Sequence, residues 1–270
     1  MNHAPGGVNH APGGVNHAPG GGDPMAVSGG ASGSSRMILR QDALLRRLGI
    51  GPSARELTSR YLDASLPARD AVVLDAGCGR VSALVPFRSR IAELVGVDIH
   101  PPHEPLPWLD RFAVVDVCRD ETAFAPGTFD TVLSSFTLEH FEDPLAALRV
   151  MGGWLRPEGW LVLATVNRAH PFVDAYLSLP RALAAPLQRM VKEHPEDAHG
   201  LYGACNTPSL VRGALIAAGY TEIEVLTTDH LARAWGRRTP TFVAGLLGDL
   251  GAHSFPQRRS TIVARAQRAD

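Results

Sequence analysis

Short apolar runs alternate with amphipathic stretches along the chain after Met37. Apolar runs of this length are typical of strands in a parallel sheet whose two faces are covered by helices. The pattern therefore predicts an α/β fold. The seven runs expected to form strands are Ala71–Leu74, Ala92–Val97, Phe112–Val115, Thr131–Leu133, Trp160–Thr165, Ile223–Val225 and Thr261–Ala264.

Helical spacing and capping residues predict helices between these runs. Asp143 is a typical N-cap, and Pro144 fits the first turn of the helix that follows it. Glycine favours the end of a helix, so another helix should start at Thr207-Pro208 and end at Gly219. Two more amphipathic helices are expected ahead of the first strand, at Met37–Leu48 and Ser53–Leu62.

The N-terminal segment differs from the rest of the chain. A seven-residue repeat, Asn-His-Ala-Pro-Gly-Gly-Val, starts at Asn2 and Asn9, and a Gly/Ser-rich stretch follows it. Such sequences bury too little apolar surface to offset the entropy of ordering, so residues 1–36 are predicted to be disordered. Two alternatives stay open here. One is a metal site at the spaced His3, His10 and His17, and the other is a biological start at Met25 or Met37.

Residues 37–270 are then expected to form one domain. Two stretches without strand character, about 168–205 and 229–259, are interpreted as lid-like insertions over the mouth of the sheet. The first carries Tyr202 and Asn206, which would shape a substrate pocket, although a surface elaboration is the alternative. The second contains the apolar run Thr241–Leu250, which would complete that pocket or contact a second subunit.

Composition narrows the class of partner. The 270 residues are 45% apolar and carry a formal net charge of −1, so the basic excess typical of nucleic-acid binders is missing. The sequence contains no apolar run of about 18 residues, and no signal peptide is expected. Three widely spaced cysteines form neither a zinc motif nor a disulfide framework. A cytoplasmic protein that acts on small molecules and not on membranes is therefore predicted.

The first predicted strand runs directly into the turn Asp75-Ala76-Gly77-Cys78-Gly79. Glycines in such a turn permit positive φ angles and close approach of a ligand to the backbone. Dinucleotide sites place a third glycine further on, where this chain has Val81 and Ser82. A carboxylate at Asp75 would repel a pyrophosphate but could orient the ammonium of an amino-acid ligand. A plain strand-to-helix turn is the alternative for this motif alone.

Two further carboxylates end the next two predicted strands. Asp98 follows Val97 at the spacing of an acid that accepts hydrogen bonds from ribose hydroxyls, and Asp116 follows Val115 where it could meet an adenine amino group. A single aspartate at a strand end is often a helix cap or part of a solvated turn. Three in order along one sheet edge indicate a ligand site, because ligands bind at the carboxyl ends of such strands.

With these residues in place, the sequence resembles class I S-adenosylmethionine-dependent methyltransferases from about Val72 to Gly219. The stretch Phe129–Ser135 resembles their fourth motif, and Leu138-Glu139-His140-Phe141 is similar to the small-molecule branch that includes ubiquinone-type methyltransferases. The resemblance implies a Rossmann-like, doubly wound, mostly parallel seven-stranded sheet with an antiparallel last strand. It also implies that the cofactor S-adenosyl-L-methionine contacts Asp75, Gly77, Cys78, Gly79, Asp98, Ile99, Asp116, Val117, Ser134 and Ser135.

The implied activity is methyl transfer to a small-molecule acceptor that the sequence does not identify. His140 is the first candidate for a base that removes the acceptor's proton, and His170, His194 and His199 are further candidates. Some relatives hold a metal through Glu-x-x-Glu-His, but Phe136 replaces the first glutamate here, so no metal is expected. Two alternative functions are a non-catalytic cofactor-binding protein and a nicotinamide- or flavin-dependent oxidoreductase.

Overall fold

The structure is a computed structural model that describes residues 33–180, 202–236 and 238–269. Its strands are longer than the predicted runs at almost every end, but all seven lie where the apolar pattern placed them. They are β1 Ala71–Ala76, β2 Ile91–Asp98, β3 Arg111–Val114, β4 Phe129–Ser135, β5 Leu155–Val166, β6 Tyr220–Thr228 and β7 Thr261–Arg268.

The α-helices of the described residues include all four predicted ones. They are α1 Gly33–Arg47, α2 Ala54–Ser65, α3 Pro144–Trp154, α4 Pro171–Ser178, α5 Pro208–Ala217, α6 Leu231–Ala234 and α7 Thr239–His253. Short 3₁₀ helices cover Val85–Arg90, Glu121–Ala123, Leu138–His140 and Pro256–Arg258. Within the described ranges, no helix combines the length and the apolar character that crossing a bilayer requires.

The sheet has the strand order β3-β2-β1-β4-β5-β7-β6. Strands β1 to β5 pair in parallel, and β7 pairs antiparallel with both β5 and β6. The doubly wound sheet with an antiparallel last strand is therefore confirmed. The chain moves outward from β1 through β2 to β3 and then returns to β4 on the other side of β1. The crevice of a doubly wound sheet opens at this reversal, at the carboxyl ends of β1 and β4.

Both faces of the sheet are buried, because its residues alternate between two apolar clusters. One cluster joins Leu74, Val97 and Val132 to helices α3 and α5, with Trp154 and Leu215 fully buried. The other joins Val73, Leu94, Leu133 and Val162 to α2. The two-sided burial explains why the strands read as continuous apolar runs in the sequence.

Local capping fixes the ends of the predicted helices. Ser53 and Glu56 form a reciprocal capping box at the start of α2. Asp143 accepts a hydrogen bond from the backbone of Ala146, and Thr207 accepts one from Leu210. Helix α1 begins at Gly33, four residues before the predicted start, so its first turn overlaps the end of the segment that was predicted to be disordered. Residues 1–32, with their histidines, lie outside the described residues.

The second insertion, residues 229–259, packs against α1 and the loop after it. Phe242 and Ala232 form a small apolar cluster with Leu45 and Ile50, and Arg233 pairs with Asp42 at 2.9 Å. The apolar run Thr241–Leu250 is helical, as α7. Asp249 on α7 accepts hydrogen bonds from the backbone of Leu231 and Ala232, which joins the two helices of the insertion.

Candidate functional site

A cavity of about 1170 Å³ opens at the carboxyl ends of β1, β2 and β4. Small-molecule sites usually enclose roughly 300–1,000 Å³, so this cavity has room for a cofactor together with a second small molecule. The predicted cofactor-contacting residues line it, with the exception of Ser134, and the predicted base His140 lines it too. None of the described residues of the second insertion lines the cavity. Of the described residues of the first insertion, Tyr202 lines it.

The glycine turn closes tightly over the end of β2. The backbone N–H groups of Gly77 and Cys78 both donate to the Val97 carbonyl, at 2.8 and 3.1 Å. Gly77 has φ +74°. A Cβ atom added at Gly77 would overlap the side chain of Thr137, because it would lie only 2.9 Å from the Thr137 Cβ and closer still to the other side-chain atoms. Gly79 has φ +52°, and a Cβ there would meet nothing within 4 Å. Gly77 is thus required by the fold itself, whereas Gly79 leaves open space beside the cavity.

Asp75 lies beneath this turn with its side chain buried. Its carboxylate accepts a short hydrogen bond from the Ser82 hydroxyl, which the sequence did not identify as part of the site. Burial raises the pKa of Asp75 to about 7; the Ser82 hydrogen bond opposes the shift, and the nearby charge of Asp98 adds to it. A buried carboxylate that accepts this hydroxyl hydrogen bond and lies beside the cavity is well suited to bind a cation.

Cys78 lies beside the two carboxylates and is also buried. Burial, with the charges of Asp75 and Asp98, raises the pKa of its thiol to about 12. The thiol is therefore neutral at physiological pH, so Cys78 acts as a packing residue in the turn and not as a nucleophile.

Asp98 ends β2 and begins a proline-rich loop that covers one side of the cavity. Its carboxylate accepts a hydrogen bond from the His100 backbone at 3.3 Å. The loop residues from Ile99 to Trp108 all line the cavity, and they include four prolines. Sequence reasoning missed this wall beyond Ile99, although a proline cluster directly after a predicted ribose-binding acid was a usable signal.

Asp116 and Val117 follow β3 at the far end of the cavity. Asp116 accepts a hydrogen bond from the Cys118 backbone at 3.0 Å and lies 3.6 Å from the Arg119 guanidinium. The turn therefore already uses part of this carboxylate's hydrogen-bonding capacity, and Val117 is buried beside it.

Ser134 and Ser135, which both belong to the predicted fourth motif, lie on opposite faces of the sheet at the end of β4. Ser135 lies on the same side of the strand as Leu133 and lines the cavity. Ser134 points to the opposite face and is buried, with no hydrogen-bond partner for its hydroxyl among the described residues. Ser134 is absent from the cavity lining, so its side chain is not part of the cavity wall.

His140 stands on the 3₁₀ helix Leu138–His140, directly after β4. Its neighbour Glu139 is buried and accepts a hydrogen bond from the Thr165 hydroxyl at 2.8 Å. The Glu139 carbonyl also accepts the N–H of Tyr202 at 2.9 Å, which fastens the end of the first insertion to this helix. Asn206 is buried behind this wall and donates a hydrogen bond to the Thr165 hydroxyl at 2.6 Å. Asn206 therefore supports the wall that Tyr202 forms, but it does not itself line the cavity.

The other candidate bases do not join this site in the described structure. His170 is buried, accepts the Phe172 N–H at 3.1 Å as the N-cap of α4, and does not line the cavity. Burial lowers its pKa, which favours the neutral ring that such a cap requires. His194 and His199 lie outside the described residues. Across the described ranges, no group of three or more His, Cys, Asp or Glu side chains is arranged to hold a metal ion.

A doubly wound sheet with a glycine turn and two strand-end carboxylates at its switch point defines a Rossmann-like cofactor-binding protein. The chain belongs to the methyltransferase-domain family, whose family model matches residues 50–207. That membership confirms the predicted resemblance to class I S-adenosylmethionine-dependent methyltransferases.

A curated relative, the ubiquinone biosynthesis O-methyltransferase of Cereibacter sphaeroides, is 34% identical over 115 residues. The match covers 40% of this chain and 47% of that protein. The chain thus spans about half the length of the curated relatives it matches.

Two solved structures have the same fold at low sequence identity. Phosphoethanolamine N-methyltransferase 2 of Haemonchus contortus, crystallised with S-adenosyl-L-methionine, has a TM-score of 0.54 and 16% identity, covering 80% of this chain and 53% of that one. The [4+2]-cyclase SpnF has a TM-score of 0.52 and 15% identity, covering 80% of each chain. Because the neighbours carry names of two different reactions, the fold alone does not assign the reaction of this chain.

Proposed function

We propose that the protein binds S-adenosyl-L-methionine and transfers its methyl group to a small-molecule acceptor. The observation that carries this proposal is the buried Asp75 carboxylate beside the Gly77–Gly79 turn, with Asp98 at the end of the adjacent strand. Asp75 is suited to bind a ligand's ammonium group and Asp98 its ribose, and S-adenosyl-L-methionine carries both groups. When bound, this cofactor supplies a methyl group already activated on a sulfonium.

The residues present fit that cofactor. Asp75 would orient the amino-acid ammonium, and the open backbone at Gly79 leaves space for the amino-acid portion. Asp98 would accept hydrogen bonds from the ribose hydroxyls. Ile99 and Val117 would hold the adenine between apolar surfaces. The Asp116 carboxylate would use its remaining hydrogen-bonding capacity to accept a hydrogen bond from the adenine amino group. Ser135 and the backbone of Cys78 complete the proposed binding site.

The chain's task in the reaction is to hold the acceptor in line with the methyl group and to exclude water. His140 and Tyr202 line the part of the cavity beyond the end of β4, which we assign to the acceptor. An acceptor hydroxyl or amine that must lose its proton could pass it to the imidazole of His140. Tyr202 would form a wall of this acceptor subsite, held by its backbone bond to Glu139.

The acceptor class follows from charge and from the family. The net charge of −1 favours a small molecule over a nucleic acid, and the curated relative named above is by name a ubiquinone biosynthesis O-methyltransferase. We also assign the protein to the cytoplasm. Cys78, Cys118 and Cys205 are all unpaired, which is usual for proteins of a reducing compartment.

Thermal unfolding with S-adenosylhomocysteine, and with NADH as the control, tests the proposed cofactor. A ligand at a hundredfold excess over its Kd stabilises the folded state by about 2.7 kcal/mol, which raises the Tm of a chain of this size by roughly 5–10 °C. We expect that shift with S-adenosylhomocysteine and none with NADH. The reverse pattern would favour the oxidoreductase. If S-adenosylhomocysteine binds but no acceptor in a panel of phenols and amines is methylated, a non-catalytic binding protein is favoured.

His140→Ala should separate catalysis from cofactor binding. We expect kcat to fall about 10²- to 10⁴-fold, the usual contribution of a positioned general base, while the Kd for S-adenosylhomocysteine stays within about twofold. Wild-type turnover in His140→Ala would remove His140 from the reaction.

A further inference from the structure

The near-zero net charge of the chain conceals an uneven distribution of its charged residues. Helix α1 carries four arginines and one aspartate, and the second insertion, residues 229–259, carries five arginines and two aspartates. These three aspartates place no unpaired negative charge at the surface, because Asp42 pairs with Arg233, and Asp229 and Asp249 are each 1% exposed. The two segments therefore form a basic region on a chain whose formal net charge is −1.

Helix α1 and the second insertion pack against each other, so their exposed side chains lie on adjoining parts of the surface. Leu45 on α1 packs with Phe242 on α7, and the Gln41 side chain donates to the Gly236 carbonyl at 3.0 Å. The exposed residues of these two segments constitute the α1–α7 face. Its exposed arginines are Arg40, Arg46, Arg47, Arg238 and Arg258.

Large apolar side chains are exposed on the same face. Val243, Leu247 and Leu250 recur at helical spacing and form an outward stripe on α7, whereas Phe242 and Asp249 are on its buried side. Leu247 is 63% exposed. The exposed apolar residues of the face are Ile38, Leu39, Leu44, Leu48, Val243, Leu247, Leu250 and Phe255. A stripe of this kind, unlike a single exposed residue, indicates a surface that binds a partner.

The combination of exposed aliphatic side chains and arginines distinguishes between classes of partner. A nucleic acid would match the arginines but would leave the aliphatic side chains beside polar phosphates and water. A second copy docked through the same face in a twofold symmetric contact would bring the arginines of both copies together. The surface of an anionic bilayer offers both counterparts, because its phosphate headgroups lie directly above the acyl chains.

We propose that the α1–α7 face docks the protein on the surface of an anionic phospholipid bilayer. Its arginines would pair with headgroup phosphates, and Leu39, Leu247 and Leu250 would insert at the boundary between the headgroups and the acyl chains. A peripheral contact of this kind needs no spanning helix, and it revises the prediction that membranes are not among the partners. The proposal goes beyond the proposed function and does not depend on it, since none of these residues lines the cavity.

Co-sedimentation of the full chain with phospholipid vesicles tests the proposal in the absence of cofactor. We expect binding to vesicles of one part phosphatidylglycerol to two parts phosphatidylcholine, and little binding to vesicles of phosphatidylcholine alone. The bound fraction should fall as salt is added, because salt screens the attraction between arginines and headgroups. Equal binding to both kinds of vesicle, or binding to neither, would overturn the proposal.

Two variants separate the basic and the apolar contributions of the face. Arg40→Gln/Arg47→Gln should lower the affinity for the anionic vesicles by about thirtyfold, because each arginine near such a surface contributes about fivefold. Leu247→Gln should lower it by about tenfold, because a glutamine does not gain from insertion among acyl chains. An unchanged Tm would show that each variant is folded, so that a loss of vesicle binding reflects the face itself.

Matched control variants change exposed residues on α3 and α5, which pack in a different apolar cluster from α1 and α7. Arg149→Gln/Arg212→Gln removes the same charge, and Ile216→Gln removes an apolar side chain that is 61% exposed. Both should bind the anionic vesicles within about twofold of the wild type. Losses equal to those of the α1–α7 variants would show that overall charge, and not this face, determines the binding.

The other two partner classes have their own signatures. If the wild-type chain sediments as a dimer without lipid and Leu247→Gln as a monomer, the face joins two copies and the proposal is wrong. The proposal is equally wrong if a duplex oligonucleotide binds with the same dependence on Arg40 and Arg47 while the vesicles do not bind.

Discussion

Asp75→Asn should make the free protein more stable while weakening its binding of the cofactor. The folded chain buries this carboxylate and raises its pKa to about 7, so its ionised form costs stability near neutral pH. An asparagine can still accept the hydrogen bond from Ser82 but cannot balance the charge of a ligand's ammonium. Losing one partner of a buried charge pair costs about 2–5 kcal/mol, so the Kd for S-adenosylhomocysteine should rise about 30-fold or more.

The gain in stability should depend on pH in a defined direction. Between the unfolded pKa of about 3.9 and the folded value near 7, the folded wild-type protein holds a proton at Asp75 that the unfolded chain has lost. The stability due to this proton is therefore full below about pH 4 and is lost as the pH rises to 7. We expect Asp75→Asn to exceed the wild type by at most about 4 kcal/mol at pH 8, and by almost nothing near pH 4.

Denaturant unfolding across this pH range measures the effect, and Asp63→Asn is the matched control. Asp63 is an exposed carboxylate paired with Arg90 at 2.7 Å, so its loss should change stability by no more than about 1 kcal/mol. It should leave the affinity for S-adenosylhomocysteine unchanged. A pH-independent gain in Asp75→Asn would contradict the raised pKa of the buried carboxylate, and undiminished ligand affinity would show that the carboxylate does not act as the cation partner.

Gly77→Ala should be strongly destabilising and should remove the ligand response. A left-handed backbone costs a residue with a Cβ about 1–2 kcal/mol, and the overlap with Thr137 adds roughly 1–3 kcal/mol of overpacking. The expected loss is therefore about 2–5 kcal/mol in the free energy of unfolding. The turn would also shift relative to Asp75 and Asp98, so thermal stabilisation by S-adenosylhomocysteine should disappear.

Gly153→Ala and a double variant serve as controls for this prediction. Gly153 lies in α3, where an added Cβ meets nothing within 4 Å, so alanine there should stabilise by about 0.5–1 kcal/mol. Adding Thr137→Ala to Gly77→Ala removes most of the overlapping atoms and should recover part of the loss, leaving the backbone cost. If Gly77→Ala unfolds at the wild-type denaturant concentration, the turn does not need its glycine.

The sequence alone determined the architecture. Apolar runs locate all seven strands of the sheet. Central strands such as β1 and β4 are buried on both faces, which leaves no polar alternation in their sequences, whereas β3 and β6 at the two edges are partly exposed. Capping residues such as Ser53, Asp143 and Thr207 act within one turn of their own helix, so they too are readable without a fold. The order of strand-end carboxylates likewise placed Asp75 and Asp98 at one edge.

Only the tertiary structure decided which side chains share the cavity. Ser134 and Ser135 are neighbours in one motif, but the alternation of the strand sends one into the core and the other into the site. Thr137 reaches Gly77 and Ser82 reaches Asp75 across loops whose course no local pattern encodes. The stacking of Phe136 on His230 joins residues that are far apart in sequence. Local propensity depends on a few neighbouring residues, whereas such contacts depend on how the whole sheet and its insertions pack.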